Sequence, residues 1–139
     1  MTDRPGPSGR VVVTGVGAVT PLGTGIATFW PRLTAGESAV DRITLLDPSD
    51  FTTHIAAEVK DFNPEDWLDR KEARRIDRFI AFAVAAARMA MDDSGLKPEG
   101  ELAEETGVLI GSGIGGLTFL GEQFRRQIEG GPSKVSPFL

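Results

Sequence analysis

The chain has 139 residues, 40% of them hydrophobic and 25% charged, with a formal net charge of −5 at pH 7. That size and balance fit one ordinary globular domain, and an acidic chain gives no support to nucleic-acid binding, which needs a basic face. With no cysteine and one histidine, His54, disulfides, thiol nucleophiles and thiolate or multi-imidazole metal sites are excluded within this sequence. No run approaches the roughly 18 apolar residues of a membrane span, so membrane partnership is not expected and cytoplasm is the default compartment.

Residues 1–9 are polar and rich in Pro and Gly, which predicts a flexible lead-in rather than a signal peptide. Val11, Val12 and Val13 form a β-branched run that empties into Thr14-Gly15-Val16-Gly17, and Thr20-Pro21-Leu22-Gly23 supplies the next turn signals. Residues 24–35 carry Ile26, Ala27, Phe29, Trp30 and Leu33 at helical spacing. Pro31 fits if that helix starts late, near Thr28, and Gly36 closes it. Residues 41–53 are turn-rich and read as a surface loop, and residues 55–59 alternate like a short strand. Asn63-Pro64-Glu65-Asp66 is a helix start: a capping side chain, a proline at the first position, then acids near the positive end of the dipole.

The spacing predicts one long helix over residues 71–94. Apolar side chains surround it between Ile76 and Met91, so burial on most sides is expected. Ser94-Gly95 and Pro98 stop it. Residues 99–105 form a polar connector with room for one helical turn. Residues 107–110 then run apolar into residues 111–116, where four of six positions are glycine, and an amphipathic helix follows over 117–128. The order β, α, loop, β, α, α, β, α is an α/β pattern with crossover connections. Val135, Phe138 and Leu139 carry apolar groups up to the last residue, where chain ends are usually polar unless something ties them down, so a continuation is expected.

Three features compete for a functional reading. Gly111, Gly113 and Gly116 match the dinucleotide fingerprint after a strand, but that motif needs a second strand with an acid about 20 residues on. Glu129 lies near that distance, on or beyond a helix. His54 has no acid or nucleophile nearby in sequence and reads as an ordinary surface or strand histidine. Lys71, Arg74, Arg75 and Arg78 recur at three- and four-residue steps and would share one helical face. That face is either simply solvated, beside Glu72 and Asp77, or a docking patch for an acidic partner.

Several segments together resemble the β-ketoacyl-(acyl carrier protein) synthases, most closely the type II elongating synthase of bacterial fatty-acid synthesis, with polyketide ketosynthases next. They are RVVVTGVGAVTPLG (10–23), VKDF (59–62), RKEARRID (70–77), DSGL (93–96), IGSGIGG (110–116) and GGPSKVSPF (130–138). The resemblance runs over residues 10–139 and implies a thiolase-like fold, of which this would be the N-terminal portion of the first βαβαβαββ half, incomplete at the C-terminus. It implies a homodimer, or a complementing chain, that elongates acyl thioesters by decarboxylative Claisen condensation with malonyl-(acyl carrier protein), without a cofactor.

The family's nucleophilic cysteine and its two assisting histidines lie beyond residue 139, and His54 matches none of them. No catalytic residue is therefore expected within this sequence. Carried over position by position, Ile114 matches the gate of the acyl tunnel, beside Gly113, and Leu139 matches an apolar position reaching toward the partner subunit's acyl pocket. Lys71, Arg74 and Arg75 match basic positions that meet acyl carrier protein. A non-catalytic chain-length partner subunit, and more remotely a dinucleotide-binding module, remain as alternatives.

Overall fold

The computed structural model describes residues 10–137. The expected lead-in over residues 1–9, and Leu139, lie outside the described residues. Thr20-Pro21-Leu22-Gly23 turns as its composition requires. Val19–Thr20 (β1) pairs antiparallel with Gly23–Thr24 (β2), and the Thr20 hydroxyl accepts the Leu22 N–H and donates to the Gly23 carbonyl. Helix α1 follows at once, Ile26–Thr34. It starts earlier than the sequence reading placed it, so Pro31 lies inside the helix rather than in its first turn. The missing proline N–H leaves the Ala27 carbonyl without a helical donor. Arg32 ties the helix back to the hairpin by donating to the Leu22 carbonyl at 2.6 Å.

A second antiparallel pair joins Val40–Arg42 (β3) to Ile55–Ala57 (β4), with Asp41 opposite Ala56. The stretch read as a loop from residue 41 thus begins as a strand. Beyond the ladder, buried Glu58 folds back and accepts the Thr44 hydroxyl at 2.7 Å and the Leu45 N–H at 3.0 Å. Those bonds, led by the Thr44 hydroxyl, hold its carboxyl below the usual carboxylate range. Lys60 closes the hairpin with an ion pair to Asp41 at 2.9 Å.

The long helix expected over 71–94 is broken. Asn63 caps a short 3-10 turn, Pro64–Asp66, and α2 spans only Arg70–Ala73, capped by Asp69. The chain then re-enters a helix at Arg78–Ser94 (α3), with Asp77 extended (φ −74°, ψ 153°) as its cap. Local side-chain capping by Asp77 competes with helix continuation and wins. Lys71, Arg74, Arg75 and Arg78 therefore do not share one continuous helical face. Helix α3 is also less covered than its apolar circumference predicted: only Ala81 and Ala85 are buried, while Ile80 and Met91 are exposed. Gly95 ends it in the left-handed region.

The core sits on one side of α3. Ala81, Ala85 and Phe62 are its buried members, with Val19, Val59, Trp67, Leu68, Ile76, Phe82 and Met89 packed against them. The Phe62 and Phe82 rings meet edge to face at 4.8 Å, and Arg78 lies over Phe82 while donating to the Val59 carbonyl. Across α3 runs the segment that holds Gly15 and Gly17. A Cβ on Gly17 would stand 2.8 Å from the Met89 Cβ and 2.9 Å from the Ala90 nitrogen, and one on Gly15 2.6 Å from the Ser94 nitrogen. These glycines serve a close backbone crossing and not a ligand.

After a short helix α4, Glu101–Glu105, the apolar run of residues 107–110 joins no ladder among the described residues. The same holds for residues 11–13. Both were expected as strands, yet a strand exists only through a neighbour's hydrogen bonds, and no described segment lies alongside either. Leu109 is 98% exposed and Val11 90%. Helix α5, Leu117–Gly130, leads into a 3-10 turn at Pro132–Lys134, held because buried Gln123 accepts the Ser136 N–H at 2.8 Å.

Candidate functional site

The glycine-rich turn and the basic cluster meet at the junction of α3 and α5. Gly115 adopts φ 77°, which only glycine enters without strain, and the Ser112 hydroxyl accepts its N–H at 3.0 Å. Gly116 stands at the N-cap of α5 and has no side chain with which to cap it. Asp77 does so from a distance, accepting the Phe119 N–H through Oδ2 at 3.1 Å while Oδ1 accepts the Arg78 N–H at 3.1 Å. Ile114 projects from the turn 76% exposed. Gly111 and Gly113 have open space where a Cβ would lie.

A cleft of about 930 Å³ opens between the α2–α3 junction and α5. Its walls include Arg74, Arg75, Asp77, Phe119 and Arg126, with Gln123 at its base. A shallower depression of about 430 Å³ is lined by Arg70, Lys71, Arg74 and Arg75. The structure thus gathers the three basic positions singled out in the sequence, although on a capped turn rather than a helix face. Ile114 and Gly113 line neither hollow. Lys71, Arg74 and Arg75 enter no ion pair among the described residues, where Arg70 meets Glu65 at 3.8 Å.

Two contributors escaped the sequence reading. Arg126 adds a third guanidinium to the cleft; only tertiary contact brings it to Arg74 and Arg75. Asp77 was legible in principle, since an acid directly before an apolar helical run is a capping signal. Its position inside an apparently unbroken periodic stretch concealed it. His54 is an exposed residue whose Nε2 donates to the Phe51 carbonyl at 2.7 Å, and it lies apart from the cleft. No group of three or more possible metal ligands occurs among the described residues.

The dinucleotide fingerprint lacks its context as well. The residues before Gly111 join no ladder, Glu129 lies on α5, and a 3-10 turn stands where the second strand belongs.

The sequence model of the β-ketoacyl synthase N-terminal domain matches residues 8–139. The chain belongs to the β-ketoacyl synthase family. Within that family it is similar to 3-oxoacyl-(acyl-carrier-protein) synthase 2 of Coxiella burnetii, 47% identical over 130 residues, 94% of this chain and 31% of the relative. The enzyme of the same name from Staphylococcus aureus strain N315 is 43% identical over the same shares. The chain therefore spans about a third of the length of these curated relatives.

Among solved structures, the ishigamide ketosynthase/chain length factor superposes with a TM-score of 0.72 at 31% identity, over 91% of this chain and 32% of that one. The fold is the N-terminal portion of a thiolase-like ketosynthase. No helix among the described residues is long and apolar enough to cross a membrane.

Proposed function

We propose that this chain is the N-terminal segment of an elongating 3-oxoacyl-(acyl-carrier-protein) synthase, with residues 10–139 forming the first part of its ketosynthase domain. The observation that carries the proposal is 43–47% identity, over 94% of the chain, to enzymes bearing that name. The reaction begins with transfer of an acyl group from carrier protein to a cysteine in the remainder of the enzyme. Malonyl-carrier then loses carbon dioxide, and its carbanion attacks the acyl thioester carbonyl. The products are 3-oxoacyl-carrier, carbon dioxide and the enzyme thiolate, which regains a proton. A thiolate suits this chemistry because it is both nucleophile and leaving group.

The part played by this segment is docking and selection. Lys71, Arg74 and Arg75, exposed and in no ion pair among the described residues, present positive charge to the acidic carrier protein. Ile114, on a turn of small residues, gates the acyl tunnel, with Gly113 leaving room for its movement and Leu139 reaching toward the acyl pocket of a second subunit. The working form is a cytoplasmic homodimer. The test is an assay of the full-length protein with acyl- and malonyl-carrier, reading 3-oxoacyl-carrier and released carbon dioxide. Release of carbon dioxide with no condensation product would refute the elongating role.

A second reading has its own support. The ishigamide ketosynthase/chain length factor is among the structures this chain resembles, and a chain-length subunit keeps the fold without the condensation chemistry. A nucleophilic cysteine in the sequence following Leu139 selects the first reading, and its absence the second.

A further inference from the structure

We propose that Asp77 is a positioning residue that sets the glycine-rich gate turn against the carrier-docking face, an inference that rests on the gate and docking roles proposed above. Arg74 and Arg75 lie three and two residues before it; across the cleft its side chain reaches the start of α5. One carboxylate caps two helices. Oδ1 accepts the N–H of Arg78 in the first turn of α3, and Oδ2 accepts the N–H of Phe119 in the first turn of α5, 42 residues away, each at 3.1 Å. Both bonds are charge-assisted, and both helix dipoles favour an anion at that point.

The glycine sequence reflects the same contact. A Cβ on Gly116 would stand 2.7 Å from Asp77 Oδ2, so an alanine there would push the carboxylate off the Phe119 N–H. Since Gly116 has φ −83°, a value any residue adopts, the need for glycine is the approach of Asp77 and not backbone freedom. Helix α5 begins at Leu117, three residues after Ile114, and Gly116 has no cap of its own. The Asp77 bond is thus the cap that fixes where the gate turn ends. Without it the first turn of α5 frays, and Ile114 loses a defined position over the tunnel.

The test uses the full-length enzyme carrying this segment. Asp77→Ser keeps a strong capping oxygen for the Arg78 N–H but cannot also hold the Phe119 N–H. Expected are a roughly three- to tenfold change, about the net contribution of one ordinary hydrogen bond, in the ratio of long-chain to short-chain kcat/KM, and a Tm held within about 2 °C. The donors are small acyl thioesters, which bypass the docking face. Hydrogen exchange should speed at the Phe119 amide and stay slow along residues 78–94. Gly116→Ala should move the ratio in the same direction, and the double variant should be no worse than the stronger single, because both break one contact.

If Ile114→Phe alters the ratio while Asp77→Ser and Gly116→Ala leave it unmoved, the positioning role is overturned and the gate reading stands. If Ile114→Phe also leaves it unmoved, the gate reading falls, and this inference with it. Equal loss for all chain lengths with a lowered Tm would reduce Asp77 to support of the fold and overturn the proposal.

Discussion

Ile114 and Gly116, two residues apart, are held in opposite ways. Gly116 is constrained by a neighbour that occupies the space of its missing Cβ, whereas Ile114 is exposed and has open-space glycine before it. Exposed as it is, that side chain has room to change rotamer, as the proposed gate role requires. If Ile114 gates an acyl tunnel as proposed, enlarging it should narrow that tunnel. In the full-length enzyme, Ile114→Phe is expected to shorten the longest acyl chain accepted and to spare short ones. Overfilling a packed space costs about 1–3 kcal/mol, enough to suppress long chains by about tenfold. A kcat/KM series across chain lengths checks this; parallel loss at every length would count against the gate.

Among the elements, the α2–α3 junction and the β3–β4 hairpin are each defined by carboxylates. Asp69 caps the start of α2, which ends at Arg74, and Asp77 caps the start of α3; the break between them leaves Arg74 and Arg75 on the wall of the cleft that α5 faces. Charge reversal at both arginines should weaken turnover with carrier-borne donors by about tenfold or more and flatten its salt dependence, while small thioesters react nearly as before. Equal loss with both donor types would indicate a folding defect instead.

In the hairpin, Glu58 is a pH-sensitive group alongside the Asp41–Lys60 pair. Its carboxyl is held below its ordinary 4.5, chiefly by the Thr44 hydroxyl and then the Leu45 N–H. A lowered folded-state value means the stabilisation is complete above 4.5 and is lost as pH falls through the depressed value. Glu58→Gln should therefore lower Tm of the full-length protein at neutral pH and lessen its further fall on acidification. Thermal scans from pH 7 down to about pH 3.5 would show the two curves converging; parallel curves would exclude Glu58 as the source.

For the whole molecule, the exposed area is decisive. The chain presents 11,292 Å² to solvent, against about 7,000 Å² expected for a folded monomer of 14.8 kDa. Large apolar side chains stand in that surface: residues 11–13 and 108–110 and Phe124 are exposed, and Ile80 and Met91 are about a third exposed. Residues 1–139 expressed alone should consequently associate or aggregate. Sedimentation and thermal melting check this, and a cooperative transition at monomeric mass would contradict it.

Local chemistry was legible in the sequence. The hairpin turn at Pro21-Leu22, the cap at Asn63, the stop at Gly95, the helix after Gly116 and the family resemblance all rest on neighbouring residues or contiguous motifs. The family likeness also made the basic positions and the gate legible as candidates. Tertiary structure decided what depends on distant partners. Residues 11–13 and 107–110 have strand composition but no ladder, because pairing needs a second segment that periodicity cannot supply. The apparent 24-residue helix divides because Asp77 spends its carboxylate on two helix starts, one of them 42 residues away. Gly15 and Gly17, which end the first β-branched run, lie against α3 for reasons of backbone contact. Propensity and capping act over a few residues and can be read along the chain, whereas ladders, close crossings and the Arg74–Arg126 cleft arise only when separate segments are brought together.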